Sequence, residues 1–545
     1  MSRFTEALYR TALTTPRGMV SGNPSDLRRC SWGDVHGQAR RMAGALAPHI
    51  GPRARVAILA SDPSDVAPLV QAVWMRGAAF TMLQQPTPRT DPEQWIAETR
   101  RVLGMINADI LVVGAPFDRA VLSVGLPIRL LAVSDLIAGP DAEPLIPDED
   151  DVALLQLSSG STGDPKAVVI THRSLFANIS SMLDLFGLAE GADEVAVSWL
   201  PLFHDMGMIM FLAMPMMGGV ELVSVTPADF LGDPLIWPRL ISDYRGTLTA
   251  APNFAYGLLG NRLDRVAEPD TFDLSCMRYA INGAEPVDCD AMVTFAAQAG
   301  RFGWPSSSLA TNYGMAEAVL AVAGPDRGTG LRADRVDIQA LENDKVAVPL
   351  ESGRAYAILG KPMAGIEVRV VDADSGAPLD ARRVGEFQLR GESITSEFLT
   401  NGGSVAARNA DGWLGTGDLG YLTEVGELVI CGRSKDLIIV SGRNLYPTDI
   451  ERAAARVDGV RAGSTIAVSV GAGSSSEGFA VLAESSGHGD GQRVARLRRE
   501  ISIEIFKATG VSPRTVAVLA PGSLPKTTSG KLRRSQAREL LPTVV

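Results

Sequence analysis

Apolar residues fall into short runs through the first two-thirds of the chain. Arg55-Val56-Ala57-Ile58-Leu59-Ala60, Ile110-Leu111-Val112-Val113, Leu130-Leu131-Ala132-Val133, Val152-Ala153-Leu154-Leu155 and Val220-Glu221-Leu222-Val223-Ser224-Val225 each predict a buried strand. Helix-length segments such as residues 63–76 lie between several of them. Strands alternating with helices imply crossover connections and mostly parallel sheets. Past about Gly360 the pattern changes. Glu367-Val368-Arg369-Val370-Val371 and Gly385-Glu386-Phe387-Gln388-Leu389-Arg390 alternate apolar with polar, and Glu427-Leu428-Val429-Ile430 follows a glycine-rich stretch. These predict antiparallel strands with one wet face. Further on, Val494, Leu497, Ile501 and Ile505 keep helical spacing, with Gly510 as a C-terminal stop. Residues 474–491, rich in Gly and Ser, predict a surface loop.

At 545 residues the chain exceeds what one core organises, so two or more domains are expected. A composition of 46% apolar and 21% charged residues excludes disordered, collagen-like and coiled-coil chains. The net charge of −11 argues against nucleic acid as partner. That charge is unevenly spread. From Arg433 onward, 17 Lys and Arg face 10 Asp and Glu, a net +7, and the preceding residues carry −18. A domain boundary is therefore expected there: residues 1–432, a hinge at 433–435, and a mobile domain at 436–545. The four cysteines are scattered with no CxxC pair, which fits a reducing compartment. No targeting segment is expected from the charged start, and the uncharged run from Met206 to Val220 is too short to span a membrane and contains Pro215. A cytoplasmic protein with no transmembrane segment is the expectation.

Four segments are candidates for chemistry. Ser158-Ser159-Gly160-Ser161-Thr162-Gly163-Asp164-Pro165-Lys166 follows a strand-like run. Its small residues let N–H groups and hydroxyls close on phosphate oxygens, and Lys166 adds a point charge. It lacks the spacing of a Walker A loop. Trp199-Leu200-Pro201-Leu202-Phe203-His204-Asp205-Met206-Gly207 leads into residues 206–217, which hold six methionines. That apolar stretch suits either ordinary core packing or the wall of an alkyl-chain site, and core packing is the commoner role. Gly415-Thr416-Gly417-Asp418-Leu419-Gly420 spells GxGxxG, but the residues after it read as a hairpin and not a helix, so it is not a dinucleotide fingerprint. Asp418 in that turn is placed to accept from ribose hydroxyls. Last, Pro525-Lys526-Thr527-Thr528-Ser529-Gly530-Lys531 puts a lysine on a glycine-containing turn.

In this order and over nearly the whole length, these segments resemble the adenylate-forming superfamily of acyl-CoA synthetases, luciferases and amino-acid adenylation domains. Within it the chain is most similar to the fatty acyl-AMP ligases. The Trp199-to-Gly207 segment matches that group's motif, and Tyr313-Gly314-Met315-Ala316-Glu317-Ala318 has Ala316 where coenzyme A ligases have threonine. The 43-residue gap from Glu317 to Gly360 leaves room, at about residues 324–356, for the group's insertion. The segments Ala250-Ala251-Pro252-Asn253-Phe254-Ala255-Tyr256 and Asn282-Gly283-Ala284-Glu285-Pro286 also resemble the mycobacterial ligase that loads the lipid tail of the siderophore mycobactin.

The resemblance implies a large N-terminal α/β domain of layered sheets and helices with an antiparallel barrel-like part, followed by a small α+β domain. It implies ATP and Mg²⁺ as cofactors. Ser158, Ser159, Gly160, Ser161, Thr162, Gly163 and Lys166 would form the phosphate loop. Asn282, Gly283, Ala284, Asn312, Tyr313, Gly314 and Met315 would form the adenine pocket, with Tyr313 stacked on the base. Glu317 would hold Mg²⁺, Asp418 the ribose, and Arg433 the ribose and phosphate. Lys435 would be the hinge, and His204 and Lys531 would join Glu317 in catalysis. The implied reaction activates a fatty acid to acyl-AMP and passes the acyl group to a phosphopantetheinylated acyl carrier protein in siderophore or polyketide lipid synthesis. A basic cluster at Arg493, Arg496, Arg498 and Arg499 offers an acidic carrier a surface, though a solvated helix face reads equally well. A fatty acyl-CoA ligase is the rival within the class. An amino-acid adenylation domain would have Phe-Asp where this chain has Phe203-His204. A non-catalytic acyl-nucleotide-binding protein is the rival outside the class.

Overall fold

In a computed structural model of the chain, the described residues are 2–86, 90–117, 126, 128–159, 165–188, 193–440, 443–471, 478–526 and 532–541. They form two compact units. Unit 1 comprises Met1–Arg332, Leu359–Glu367 and Leu389–Leu414; unit 2 comprises Ala333–Ile358, Val368–Gln388 and Gly415–Val545. The expected boundary at Arg433 falls inside unit 2. It concerns which part of the chain turns during a reaction and is taken up below as a proposal.

Unit 1 holds two large sheets. One runs in the order Leu309–Thr311, Tyr279–Asn282, Leu248–Ala251, Val195–Ser198, Glu221–Ser224, Gly18–Asn23 and Asp26–Ser31, parallel throughout except for its last edge. The other has eight strands. Val152–Ser159, Ala79–Met82, Arg55–Leu59, Ile110–Val113 and Arg129–Ala132 are parallel neighbours, and Pro165–Thr171, Glu397–Thr400 and Gly403–Ala406 extend the sheet antiparallel. Strands such as Ala79–Met82 and Ile110–Val113 are buried along their length, as their unbroken apolar runs require. The helix expected at residues 63–76 is Pro63–Met75, started by the Asp62 carboxylate accepting from the Ser64 N–H and by Pro63 in the first turn. The six-methionine stretch opens as a π-helix, Met206–Ala213, with all eight residues buried.

His172 opens the helix His172–Phe186, is fully buried against Phe4, and neither ring nitrogen has a partner among the described residues. Burial lowers its pKa to about 4, with Asp151 and Glu149 opposing weakly. The unfolded chain therefore takes up this proton near pH 6.5 and the folded chain does not, so stability falls as pH drops from there towards 4. The loss reaches about 3 kcal/mol. In His172→Phe, the fall in urea midpoint between pH 7 and pH 4.5 should shrink by most of that amount. An unchanged fall would show that the imidazole is not responsible.

Unit 2 carries most of a four-stranded sheet, Ile366–Val371, Gly385–Gly391, Leu414–Leu422 and Leu428–Arg433, whose last two strands pair antiparallel. This bears out the hairpin after the GxGxxG segment. A second sheet sets Gly478–Glu484 between Thr465–Val470 and Thr515–Leu519. Helix Gly491–Thr509 packs Leu497, Ile501 and Ile505 into a core with Ile438, Ile450 and Phe479. It ends at Gly510, whose φ of +71° is the left-handed value glycine adopts freely. The surface loop expected at 474–491 is corrected. Residues 472–477 lie outside the described residues, but Gly478–Glu484 is a strand buried at all seven positions. Its Phe-Ala-Val-Leu-Ala run was hidden by the Gly and Ser on either side. The expected insertion contains strands Ala333–Val336 and Arg354–Ala357, paired antiparallel, with helix Ile338–Asp344 between them in sequence. Val336, Leu341 and Tyr356 pack with Tyr421, Cys431 and Tyr446.

Candidate functional site

In unit 1 three parallel strands end side by side at Ala251, Asn282 and Thr311. Carboxyl ends of parallel strands are where open α/β sheets bind ligands. The Asn312 N–H donates to the Asn282 carbonyl at 3.1 Å, and Asn282 Nδ2 donates to Asn253 Oδ1 at 3.0 Å. A Cβ on Gly324 would stand 2.5 Å from Asn312 Nδ2, so glycine there leaves the amide its place. Among the described residues, the Oδ1 atoms of both Asn282 and Asn312 are buried without a partner, as is Ser158 Oγ. Buried acceptors are rarely left unpaired, and these suit a donor such as an exocyclic amine. Tyr313 and Gly314 form a strand beside Ala321–Gly324, with Tyr313 Oη 3.6 Å from Met315 Sδ. Two non-glycine residues here have left-handed φ, Ala284 at +68° and Val319 at +71°. Val319 is β-branched, so its conformation is strained, and it follows directly on the turn bearing Glu317.

Lys166 Nζ meets Glu317 Oε1 at 2.7 Å and stands 4.0 Å over the Phe398 ring. The Thr395 N–H holds the Glu317 carbonyl at 2.8 Å. This pair places a cation and a carboxylate together at the end of the strand that leaves the phosphate-loop segment. Gly160, Ser161, Thr162 and Gly163 lie outside the described residues, as do Lys531 and the side chain of Ser159. His204 Nδ1 donates to Asp205 Oδ1 at 2.6 Å, which makes Nε2 the acceptor of the neutral ring. Asp205 also caps the π-helix through the Met206 N–H at 2.8 Å. The turn is tight: a Cβ on Gly207 would lie 2.2 Å from the Pro201 carbonyl oxygen.

In unit 2, Asp418 is buried directly across the hairpin from Arg433, with Arg433 Nε 2.8 Å from its carboxylate. The tight turn expected around Asp418 is instead part of the strand Leu414–Leu422; Gly417 within it has φ +70°, and its N–H donates to Glu386 Oε1 at 3.0 Å. Lys435 is exposed in the single turn Ser434–Asp436. Phe398, Thr395, Asn253 and Glu386 are contributors that sequence reasoning missed. Phe398, Thr395 and Glu386 belong to none of the segments singled out, and Asn253 stood inside one of them without a role assigned to it. Asp205 stood inside a recognised motif, but its hold on His204 was not foreseen.

The fold and these clusters define an adenylate-forming enzyme. The chain belongs to the AMP-binding enzyme family, whose description matches residues 9–399. It is 49% identical over 552 residues to the Mycobacterium tuberculosis protein named "Putative ligase Rv1013", covering 99% of this chain and 100% of that one. A solved structure from a study of fatty acyl-adenylate ligases from E. coli and L. pneumophila superposes with a TM-score of 0.88 at 29% identity, covering 100% of this chain and 98% of that one. The L. pneumophila fatty acyl-adenylate ligase in complex with acyl adenylate and pyrophosphate superposes at 0.72 with 26% identity, covering 99% and 96%. No described helix is long and apolar enough to cross a membrane.

Proposed function

We propose that this chain is a cytoplasmic fatty acyl-AMP ligase that hands its product to the phosphopantetheine thiol of an acyl carrier protein. In the first step a carboxylate oxygen attacks the α-phosphorus of ATP, the bond to the bridging oxygen breaks, and pyrophosphate leaves. In the second the thiol sulfur attacks the acyl carbon, its proton departs, and AMP leaves. The protein's part in the first step is to position two anions and offset their repulsion. The observation that carries this reading is the Lys166–Glu317 pair at 2.7 Å, together with the buried Asn282 and Asn312 acceptors that have no partner among the described residues.

On this reading Asn282 and Asn312 take the adenine amine and Tyr313 the ring face. Lys166 exchanges Glu317 for phosphate oxygens. Glu317 would hold Mg²⁺, a hard cation suited to carboxylate and phosphate oxygens, which would supply charge neutralisation at the phosphates. Asp418 accepts from the ribose hydroxyls, with Arg433 beside it. His204, oriented by Asp205, presents Nε2 as an acceptor or, when protonated, as a donor. Lys435 is the hinge about which residues 436–545 turn between the two steps.

The test is to incubate the protein with ATP and fatty acids of several chain lengths, with and without coenzyme A, and to identify products by mass spectrometry. Acyl-AMP and pyrophosphate are expected, with little acyl-CoA. Rapid acyl-CoA formation would replace the carrier reading by a coenzyme A ligase. Absence of ATP–pyrophosphate exchange with every acid would leave an acyl-nucleotide binder.

A further inference from the structure

The helix Gly491–Thr509 buries Leu497, Ile501, Ile505 and Thr509. Its opposite side is unusual for a solvent face. Arg496, Arg499, Ile503 and Phe506 follow one another at steps of three and four residues, so they form one stripe. Ile503 is 45% exposed and Phe506 is 54% exposed. The Arg496 side chain is 50% exposed, with Glu500 at 3.8 Å on the flank, and Glu504 on the same flank is engaged by Lys507 at 2.6 Å. Arg493, grouped with these by sequence, is not part of the stripe: it packs over Gly487 and Gly459. Ile503 and Phe506 thus add exposed apolar surface in line with the two arginines.

We infer that the stripe Arg496–Arg499–Ile503–Phe506 is the docking surface for the acyl carrier protein, taken as an acidic helix with an apolar centre. This rests on the ligase reading above and deepens it. The occupant is chosen by complementarity. The segment from Arg433 onward carries +7 in a chain of −11, so this region attracts an acidic partner, and guanidinium pairs with carboxylates fix register. Ile503 and Phe506 supply the apolar centre that such an interface buries. Coenzyme A, a small nucleotide thiol, has no use for an apolar patch on a helix exterior.

The experiment compares two thiol acceptors, a phosphopantetheinylated bacterial acyl carrier protein and free pantetheine, at low and high salt. In Arg496→Glu/Arg499→Glu, transfer to the carrier at low salt should fall about 10-fold or more in kcat/KM, and less at high salt. Ile503→Ser/Phe506→Ser should weaken the same step at both salts. Pyrophosphate release and transfer to pantetheine should stay within about twofold of the parent in both variants, which also shows that they fold. Carrier transfer unchanged in both variants would overturn the proposal, as would an equal loss with pantetheine. Parent protein binding to phosphatidylglycerol vesicles, lost in the arginine variant with carrier transfer intact, would assign the stripe to a membrane instead. A parent that makes acyl-AMP but never loads the carrier refutes both the docking surface and the carrier step, and a parent that makes no acyl-AMP refutes the ligase reading itself.

Discussion

Lys531→Ala is expected to slow acyl-AMP formation about 10²- to 10³-fold while ATP still binds and preformed acyl-AMP still reacts with a thiol. The attacking carboxylate and the α-phosphate are both anions, and charge builds on the phosphorus oxygens as the new bond forms. A preorganised donor aimed at that charge is worth roughly 3–4 kcal/mol in a water-poor site. An ammonium on a flexible four-carbon stem can touch both partners at once. Lys166 does not replace it, because its ammonium is already committed to Glu317 at 2.7 Å and, on entry of ATP, to the phosphates that leave. Single-turnover pyrophosphate release measures the first step, and thioester formation from synthetic acyl-AMP measures the second. A variant that adenylates within about threefold of the parent would remove Lys531 from the mechanism and make Lys166 the next candidate.

The second large effect is on stability. Glu342, on the helix Ile338–Asp344, has a side chain only 2% exposed, and Arg443 Nη2 reaches its Oε2 at 2.5 Å. The same guanidinium donates to the Thr509 carbonyl at 2.8 Å, where helix Gly491–Thr509 ends, and Asn444 Nδ2 donates to the Glu342 carbonyl at 3.2 Å. Burial pushes the Glu342 carboxyl up and Arg443 pulls it back. Arg443→Ala strands a buried carboxylate and an unpaired helix-end carbonyl, at a cost of about 3–5 kcal/mol, because removing one partner leaves the other's desolvation uncompensated. Pairing it with Glu342→Leu should recover most of the loss, since an apolar pair of similar volume has no charge to desolvate. Urea unfolding of the two single variants and the double variant measures this. A single variant within about 1 kcal/mol of the parent would show that water reaches Glu342 and that the pair holds little.

The local pattern of residues was enough for much of the framework. Unbroken apolar runs at Ile110–Val113 and at residues 152–155 became inner strands, and the spacing of Leu497, Ile501 and Ile505 became the buried side of a helix. Such periodicities arise within a few residues and can be read without knowing the partner. The same approach failed at Gly478–Glu484, where the Gly and Ser before the strand outweighed a short apolar run, and only pairing on both sides made it a central strand. The family resemblance named Lys166, Asn282, Asn312, Glu317, Asp418 and Arg433 as candidates for the site.

Which of these residues meet, and through what, was set by tertiary structure. The Lys166–Glu317 pair spans 151 positions, and Phe398 and Thr395 support it from a still later segment. Asn282 and Asn312 become neighbours because their strands lie parallel, which a crossover connection decides and a local motif does not. The stripe on helix Gly491–Thr509 was legible as spacing, but whether its apolar members were covered was not. The sequence by itself determined the elements and the chemical types available. Packing of distant segments decided which charges pair, which acceptors stay unpaired and which apolar side chains face water, because burial and desolvation depend on neighbours that no short stretch of chain contains.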